Sequence, residues 1–442
     1  MGAAMTLAPV ASIAETLTDA LRSAYKHSGL LEQNRALLRA ADEDVAIAVS
    51  ALYPVLTYAA SATYSNARNS TSGVTSTLSL NAELTLYDGG RNRRAIDAQK
   101  ETVLATREAL ISVEQQVLLR AVSAYMSVIR AAEFVALREN NVRLITQELR
   151  AARDRFDVGE ITKTDVSIAE ARLASARSGL AAEQGTFARA REEYLAAVGH
   201  YPGRLGNPPA APMAAKTLDG AKAIALRRHP DVRQQQRLVT VAEINVDRAL
   251  REGDPTLKLG ASAGVNARGN PNHSATLTLS GPLYNGGRLS ALYRQAIARK
   301  DAARAGLHVT SHAIRQGVAN AWANLLVARA SRDAGKRQVL AQRTAFRGVR
   351  EEANLGSRTT LDVLNAEQEL LDAQATQISA VTDEYVASYQ LLASMGLLTA
   401  EHLKLGIKTY DPTAYYNAVK DAPLISEQGK KLDRIIKGLG KY

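Results

Sequence analysis

Cysteine is missing from all 442 positions. The chain can therefore make no disulfide, no thiolate metal site and no cysteine nucleophile, and it has no lipid-accepting cysteine near its start. Such a composition suits an oxidising compartment. No run of 18 apolar residues occurs, so no transmembrane helix is expected. Aromatic residues make up only 5% of the chain, and there is a single Trp. The formal charge of +11 could point to nucleic acid. A nucleic-acid binder, however, gathers Lys and Arg on one patch with interleaved aromatics. Here Arg is spread along helical stretches, so nucleic acid is not an expected partner.

A catalytic set is missing too. An enzyme needs a convergent acid, base or nucleophile. His308 and His312 stand four apart, a spacing that can hold zinc, but no Glu follows His308 and the signature is incomplete. Trp322 implies no cofactor, and the glycine-rich turns lack phosphate-loop spacing. No catalytic residue, metal or cofactor is assigned.

The start, "MGAAMTLAPVASIAET", is apolar and uncharged through Ala14, and Ser12-Ile13-Ala14 fits a small-x-small cleavage site. Residues 1–14 read as the remnant of a signal peptide without its basic region.

What the chain does have is a repeat. "LYDGGR" (86–91) returns as "LYNGGR" (283–288), an offset of 197 (283 − 86). The same offset maps Gly159 onto Gly356, Asp165 onto Asp362 and Gly199 onto Gly396. Upstream, Thr16-Leu17 matches Thr217-Leu218 at an offset of 201 (217 − 16). A period this long is a duplicated domain, not a short-repeat solenoid. The first repeat covers 15–208 and the second 209–407, with a tail at 408–442. Each reads as helix, β-hairpin (55–86 and 256–283), long helix, tip turn (156–162 and 353–359) and shorter helix.

The hairpins alternate strictly. In "VTSTLSLNAELTL", Val74, Leu78, Leu80, Ala82 and Leu84 share one parity, while Thr75, Thr77, Ser79, Asn81 and Glu83 share the other. Period two over this length means a strand with one apolar and one polar face. Strands of about ten residues can cross a bilayer when tilted. Four strands cannot close a membrane barrel, and open strand edges are too costly in lipid. The strand pattern alone leaves two readings open: a barrel shared by several chains, or a soluble four-stranded sheet covered by helices.

The helices decide between them. Arg91 to Asp157 contains neither Pro nor Gly, and Arg288 to Asn354 repeats the pattern with scattered Gly. A straight helix of that length spans roughly 100 Å, far beyond ordinary globular helices. Val128, Val135, Val142, Leu149 and Phe156 recur every seven residues, which favours left-handed supercoiling. The segments Lys163 to Val198 and Thr217 to Leu250 together match the long helix in length. That places Gly159 and Gly356 at the end away from the strands.

At this point the sequence resembles the TolC-type outer-membrane efflux and secretion channels. The carrying residues are the paired "LYDGGR" and "LYNGGR", with "RFDVGEITKTDVSIAEARLASAR" (155–177) and "EANLGSRTTLDVLNAEQELLDAQ" (352–374) at their common offset. The resemblance covers about residues 15 to 407. It implies an α+β membrane protein built as a tandem structural repeat. Its long coiled α-helices would form a periplasmic α-barrel, and four β-strands per chain would contribute to a shared transmembrane β-barrel. It implies a homotrimer in the outer membrane of a Gram-negative bacterium. The expected partners are outer-membrane lipid, a periplasmic adaptor (membrane fusion) protein, and an inner-membrane ABC or proton-driven transporter. The implied role is the exit duct of a tripartite efflux pump or a type I secretion system.

Site residues follow from the same resemblance. Arg358 and Asp362 match positions that close or ring the periplasmic aperture; Asp165 is the first-copy equivalent of Asp362, and Lys163, two residues before it, joins this aperture set. Asn365 stands where an acid is frequent, which would weaken a second acidic ring, and Ala353 stands where a gating Tyr is known. Gly159 and Gly356 mark the tip turns for adaptor docking. At the strand-to-helix junctions, Gly89, Gly90, Gly286 and Gly287 supply backbone angles other residues resist. Arg91 and Arg288 place a cation at a helix start, the unfavourable end. Arg91 needs a partner there, either a lipid headgroup or a carboxylate such as Asp88.

Two plainer readings stand beside these. Gly-Gly-Arg can be a turn plus a solvated charge, and "TTLD" can simply cap a helix. The rival for the whole chain is a periplasmic coiled-coil adaptor or interaction protein of an export system, which does not require duplicated strands of membrane-spanning length.

Overall fold

The computed structural model describes residues 14–65, 73–208, 215–266, 268–421, 430 and 434. The expected signal remnant, apart from Ala14, lies outside the described residues, as do the first hairpin loop and most of the tail beyond Asp421. The chain divides into two compact units that cut across the repeats. One holds Met1–Glu32, Ile111–His229 and Ala313–Thr409, and the other holds Gln33–Leu110, Pro230–His312 and Tyr410–Tyr442.

The second unit contains the sheet. Strands β1 (Val55–Ser65), β2 (Gly73–Tyr87), β3 (Thr256–Asn266) and β4 (Pro271–Ser280) lie in the order β1-β2-β3-β4, each antiparallel to its neighbour. Directly opposed residues share a face, so the register assigns the faces. Tyr58 opposes Leu80, which opposes Ala263, and Leu259 opposes Leu277. The polar face is hydrogen-bonded across strands: Ser61 to Thr77 at 2.7 Å, Ser262 to Ser274 at 2.8 Å, and Lys258 Nζ to Glu83 Oε1 at 2.7 Å. Leu56, Tyr58, Leu78, Leu80, Leu277 and Leu279 are exposed on the other. The outer edges of β1 and β4 have no strand partner among the described residues.

Helix α3 (Arg91–Asp157) and helix α7 (Arg288–Asn354) each follow a hairpin and run without interruption. Among the described residues no helix is long and apolar enough to cross a membrane. In the first unit, α3 and α7 turn into α4 (Lys163–Val198) and α8 (Thr360–Ser394). Ile145 and Leu149 pack with Ala169, Leu173 and Ala176 of α4 and Leu364 of α8. Phe156, last in the heptad stripe, is exposed. Tyr125 and Tyr194 are fully buried. The Tyr125 hydroxyl donates to the Glu15 and Gly206 carbonyls, and Tyr194 donates to the Glu15 carboxylate at 2.6 Å.

Two expectations change. The stretch from Thr217 to Leu250 is two helices, α5 (Leu218–Arg228) and α6 (Pro230–Leu250). Pro230 sits at the first helical position and pushes His229 into an extended conformation (φ −63°, ψ 127°). Its counterpart is likewise split into α1 (Leu17–His27) and α2 (Gly29–Ser50). Second, β2 runs on to Tyr87, whereas β4 stops at Ser280 rather than 283. Pro282 has no N–H to donate to a ladder. The first part of the tail, for which the sequence assigned no role, is folded. Helix α9 (Pro412–Val419) docks in the sheet-bearing unit, with Tyr410 and Tyr416 packed on Leu38, Val45 and Val103.

Candidate functional site

The first strand-to-helix junction is a closed polar knot. Gly89 (φ 68°) and Gly90 (φ 80°) take left-handed angles open to glycine. Gly89 is also pressed from outside, since a Cβ there would lie 2.6 Å from the Asp254 Cβ. The Asp88 carboxylate caps the helix start, accepting from the Gly90 and Asn92 amides at 2.8 Å each. It is therefore not the counter-charge of Arg91. That guanidinium donates to the Asp88 carbonyl (2.9 Å), to the Thr256 hydroxyl and to Glu252 Oε2 (3.4 Å). Arg94 pairs with Asp247, whose carboxyl this hydrogen bond holds below its usual range. Arg251 donates to the Gly89 carbonyl at 3.2 Å.

The second junction has the same backbone and different neighbours. Gly286 (φ 61°) and Gly287 (φ 82°) repeat the angles, yet among the described residues no atom beyond the adjoining chain lies within 4 Å of a Cβ built at either. Arg288 opens α7 and is exposed. Leu283 and Tyr284 just before it are almost wholly exposed.

The two helical turns of the first unit are near copies. Gly159 and Gly356 both take φ 79°. The Gly159 amide donates to the Phe156 carbonyl and the Glu160 amide to the Arg155 carbonyl. Gly356 and Ser357 repeat this toward Ala353 and Glu352. Such a left-handed glycine satisfies the last carbonyls of a helix. Each following helix opens on a capping box. Thr162 and Asp165 exchange bonds of 3.3 and 3.0 Å at the start of α4, which Lys163 opens. Thr359 and Asp362 exchange bonds of 3.2 and 3.0 Å at the start of α8. The Thr162 hydroxyl holds the Asp165 carboxyl below its ordinary value. The Thr359 amide and hydroxyl, with Arg358 nearby, do the same for Asp362. Both carboxyls are ionised at neutral pH.

Arg358 is engaged within its own turn, its Nε 2.8 Å from Glu352 Oε2. Asn365 accepts from Arg172 of α4 at 3.2 Å. Ala353 is buried. Beyond these turns Asn141 of α3 and Glu367 of α8 form a buried polar pair, and burial pushes the Glu367 carboxyl up to about 7. His308 and His312 stack at 5.3 Å, and no group of metal donors is found among the described residues.

Sequence reasoning missed Glu252, Asp247 and Glu352 as partners. The repeat held a signal for the first: Glu252 lies four residues before β3, and its equivalent before β1 is Ala51. Ala51 cannot supply the carboxylate that Glu252 gives Arg91. Glu367 gave no signal, because an acid on a long polar helix reads as solvated until its neighbours are known.

Residues 20–200 and 223–397 match the family model for outer membrane efflux proteins, and the chain belongs to that family. It is 38% identical over 424 residues to the outer membrane efflux protein BepC of Brucella suis, covering 93% of this chain and 92% of that protein. It is 26% identical over 351 residues to the alkaline protease secretion protein AprF of Pseudomonas aeruginosa, covering 75% of this chain and 71% of that one. The crystal structure of the outer membrane protein VceC of Vibrio cholerae has the same fold. Its TM-score is 0.74, over 86% of this chain and 96% of that one, at 22% identity. This chain is an outer-membrane transport protein of a Gram-negative bacterium, with a large periplasmic portion.

Proposed function

We propose that three copies of this chain form one exit duct, which receives substrate from an inner-membrane transporter and passes it across the periplasm and outer membrane. The observation that supports this most is the sheet: four amphipathic strands whose two outer edges are unpaired among the described residues and whose apolar face is exposed. Unpaired backbone groups are too costly in lipid. Three such sheets joined edge to edge give twelve strands, enough for a closed barrel with a polar interior. The periplasmic turns at Gly159 and Gly356 are the docking points for an adaptor, and Asp362 and Asp165 set the charge of the aperture. Type I secretion and small-molecule efflux both fit this duct. BepC is named for efflux and AprF for secretion of an alkaline protease, and each name belongs to that relative.

The test is the mass of the purified protein in detergent, by sizing with light scattering, followed by reconstitution in planar bilayers. A trimer that conducts ions supports the reading. A monomer that keeps its strand signal in detergent overturns it.

A further inference from the structure

The last stretch of the chain carries a pattern that the duct does not use. From 430 to 441 it reads KKLDRIIKGLGK, in which Leu432, Ile435, Ile436 and Leu439 recur at helical spacing. On a helix these four share one face. Lys430, Arg434, Lys437 and Lys441 fall opposite them, with Lys431 on the flank, so five cations stand against one acid, Asp433. Lys430 and Arg434 are the described residues of this stretch, and both are helical and exposed. Apolar and basic faces on one short segment are the pattern of a helix that lies in a membrane surface.

The structure also fixes where this stretch is delivered. The chain before it follows α2 toward the sheet. Arg35 lies over the Tyr410 ring, 5.4 Å from its centroid. Further along α2, the Tyr415 hydroxyl donates to Glu43 Oε1 at 2.6 Å, and Ala418 and Val419 pack with Ala46. Arg107 of α3 holds the start of α9, donating to the Pro412 carbonyl at 3.2 Å with its guanidinium 5.2 Å from the Tyr416 ring centroid. Finally the Tyr53 hydroxyl donates to the Asp421 carbonyl at 3.3 Å. Tyr53 lies two residues before β1, at the strand-to-helix end of the sheet. The strands are the membrane portion and the long helices the periplasmic portion, so this end marks the periplasmic surface of the outer membrane. Lys430 is nine residues beyond Asp421, and nine residues span at most about 30 Å. The basic stretch is therefore held close to that surface.

We propose that residues 430–441 form a helix lying on the periplasmic leaflet of the outer membrane beside the barrel. Leu432, Ile435, Ile436 and Leu439 enter the acyl region, and the Lys and Arg side chains meet anionic phospholipid headgroups. This rests on the shared-barrel reading and gives the tail a lipid partner. Charge selects lipid over a groove on the protein, since an apolar groove would take the stripe and leave five cations without a role. Twelve residues with Gly438 and Gly440 among them make a weak helix in water. The interface supplies the apolar contact that stabilises it. Docked α9 acts as a mooring, which keeps the effective concentration of the stretch at the surface high enough for weak binding to suffice.

The absence of cysteine makes the test specific. Single cysteines are introduced into the full chain as Leu439→Cys on the apolar face, Lys437→Cys on the basic face and Leu78→Cys on the lipid side of the sheet. Each is labelled with an environment-sensitive dye and reconstituted in nanodiscs of phosphatidylcholine and phosphatidylglycerol containing lipids with nitroxides along the acyl chain. The label at 439 should be quenched about threefold more than the label at 437, because one face of an interfacial helix enters the lipid and the other does not. Added salt, or phosphatidylcholine alone, should weaken that quenching. Equal quenching at 439 and 437 overturns the interfacial helix. A blue-shifted label at 439 that lipid does not quench means packing on protein and overturns the lipid partner. Quenching at 439 that persists unchanged in phosphatidylcholine alone overturns the anionic surface. In all three cases quenching at 78 leaves the barrel standing, whereas its absence at 78 overturns the barrel reading itself.

Discussion

The Asn141 side-chain amide donates a 2.7 Å hydrogen bond to Oε1 of Glu367, and both residues are buried. The second carboxylate oxygen, Oε2, is buried with no hydrogen-bond partner among the described residues. A buried carboxyl served by one donor is costly to ionise. Its folded-state pKa of about 7 lies above the ordinary value of 4.5. The protonated form therefore stabilises the fold fully below pH 4.5, and that contribution is lost as pH rises to 7. Glu367→Gln keeps the acceptor for Asn141 and removes the charge. At pH 8 it should be more stable than the parent, by at most about 3 kcal/mol, and near pH 4 the two should match. Urea unfolding in detergent at both pH values reads the difference. Equal stability at pH 8 would show that water already reaches the carboxylate.

The strand-to-helix junctions should respond unequally to the same substitution. Arg91 bonds Glu252, Thr256 and the Asp88 carbonyl from a half-buried position, whereas Arg288 is exposed. Arg91→Ala should cost about 1.5–3 kcal/mol, the range for hydrogen bonds to charged groups. Arg288→Ala should cost much less. Thermal unfolding of both variants checks this, and equal losses would mean that the knot contributes nothing.

The sheet faces can be tested independently of the junctions. Leu78→Arg or Leu80→Arg should cut trimer yield, since Arg facing lipid near the midplane costs about 2–4 kcal/mol. Thr77→Arg or Ser79→Arg, one residue away on the polar face, should still assemble and alter conductance. The opposite pattern would mean that the lipid and lumen faces are reversed.

These contrasts follow from how much the sequence could say. Strand alternation and the Pro- and Gly-free run from Arg91 are local patterns that burial and backbone strain impose directly, so the strands and α3 could be read residue by residue. The break at His229 was also legible, because Pro230 restricts the residue before it. The partners of Arg91 were harder to see. Glu252 lies 161 residues downstream, and no local pattern distinguishes it from a solvated acid. The Asp362 cap was readable from "TTLD", while its role at an aperture depends on copies of the chain that a single sequence does not display.

The last prediction concerns those turns. Asp362 is exposed and held ionised by the Thr359 amide and hydroxyl. Glu352 is neutralised by Arg358 across the same turn. If three turns line one aperture, each contributes the Asp362 carboxylate, which Arg358 approaches without an ion pair, and the Glu352 carboxylate, which Arg358 pairs directly. Like charges gathered in a constriction attract cations. Asp362→Asn keeps an oxygen that can accept from Thr359 and removes the charge, so cation preference should fall and block by multivalent cations should weaken. Arg358→Ser exposes the Glu352 charge, so cation preference should rise, and the turn that Arg358 braces should loosen and conduct more. The two substitutions therefore move selectivity in opposite directions. The measurement is the reversal potential of reconstituted channels under a salt gradient, with single-channel conductance recorded alongside. If neither substitution shifts the reversal potential, Asp362 is a helix cap and nothing more, and the aperture is set by other residues.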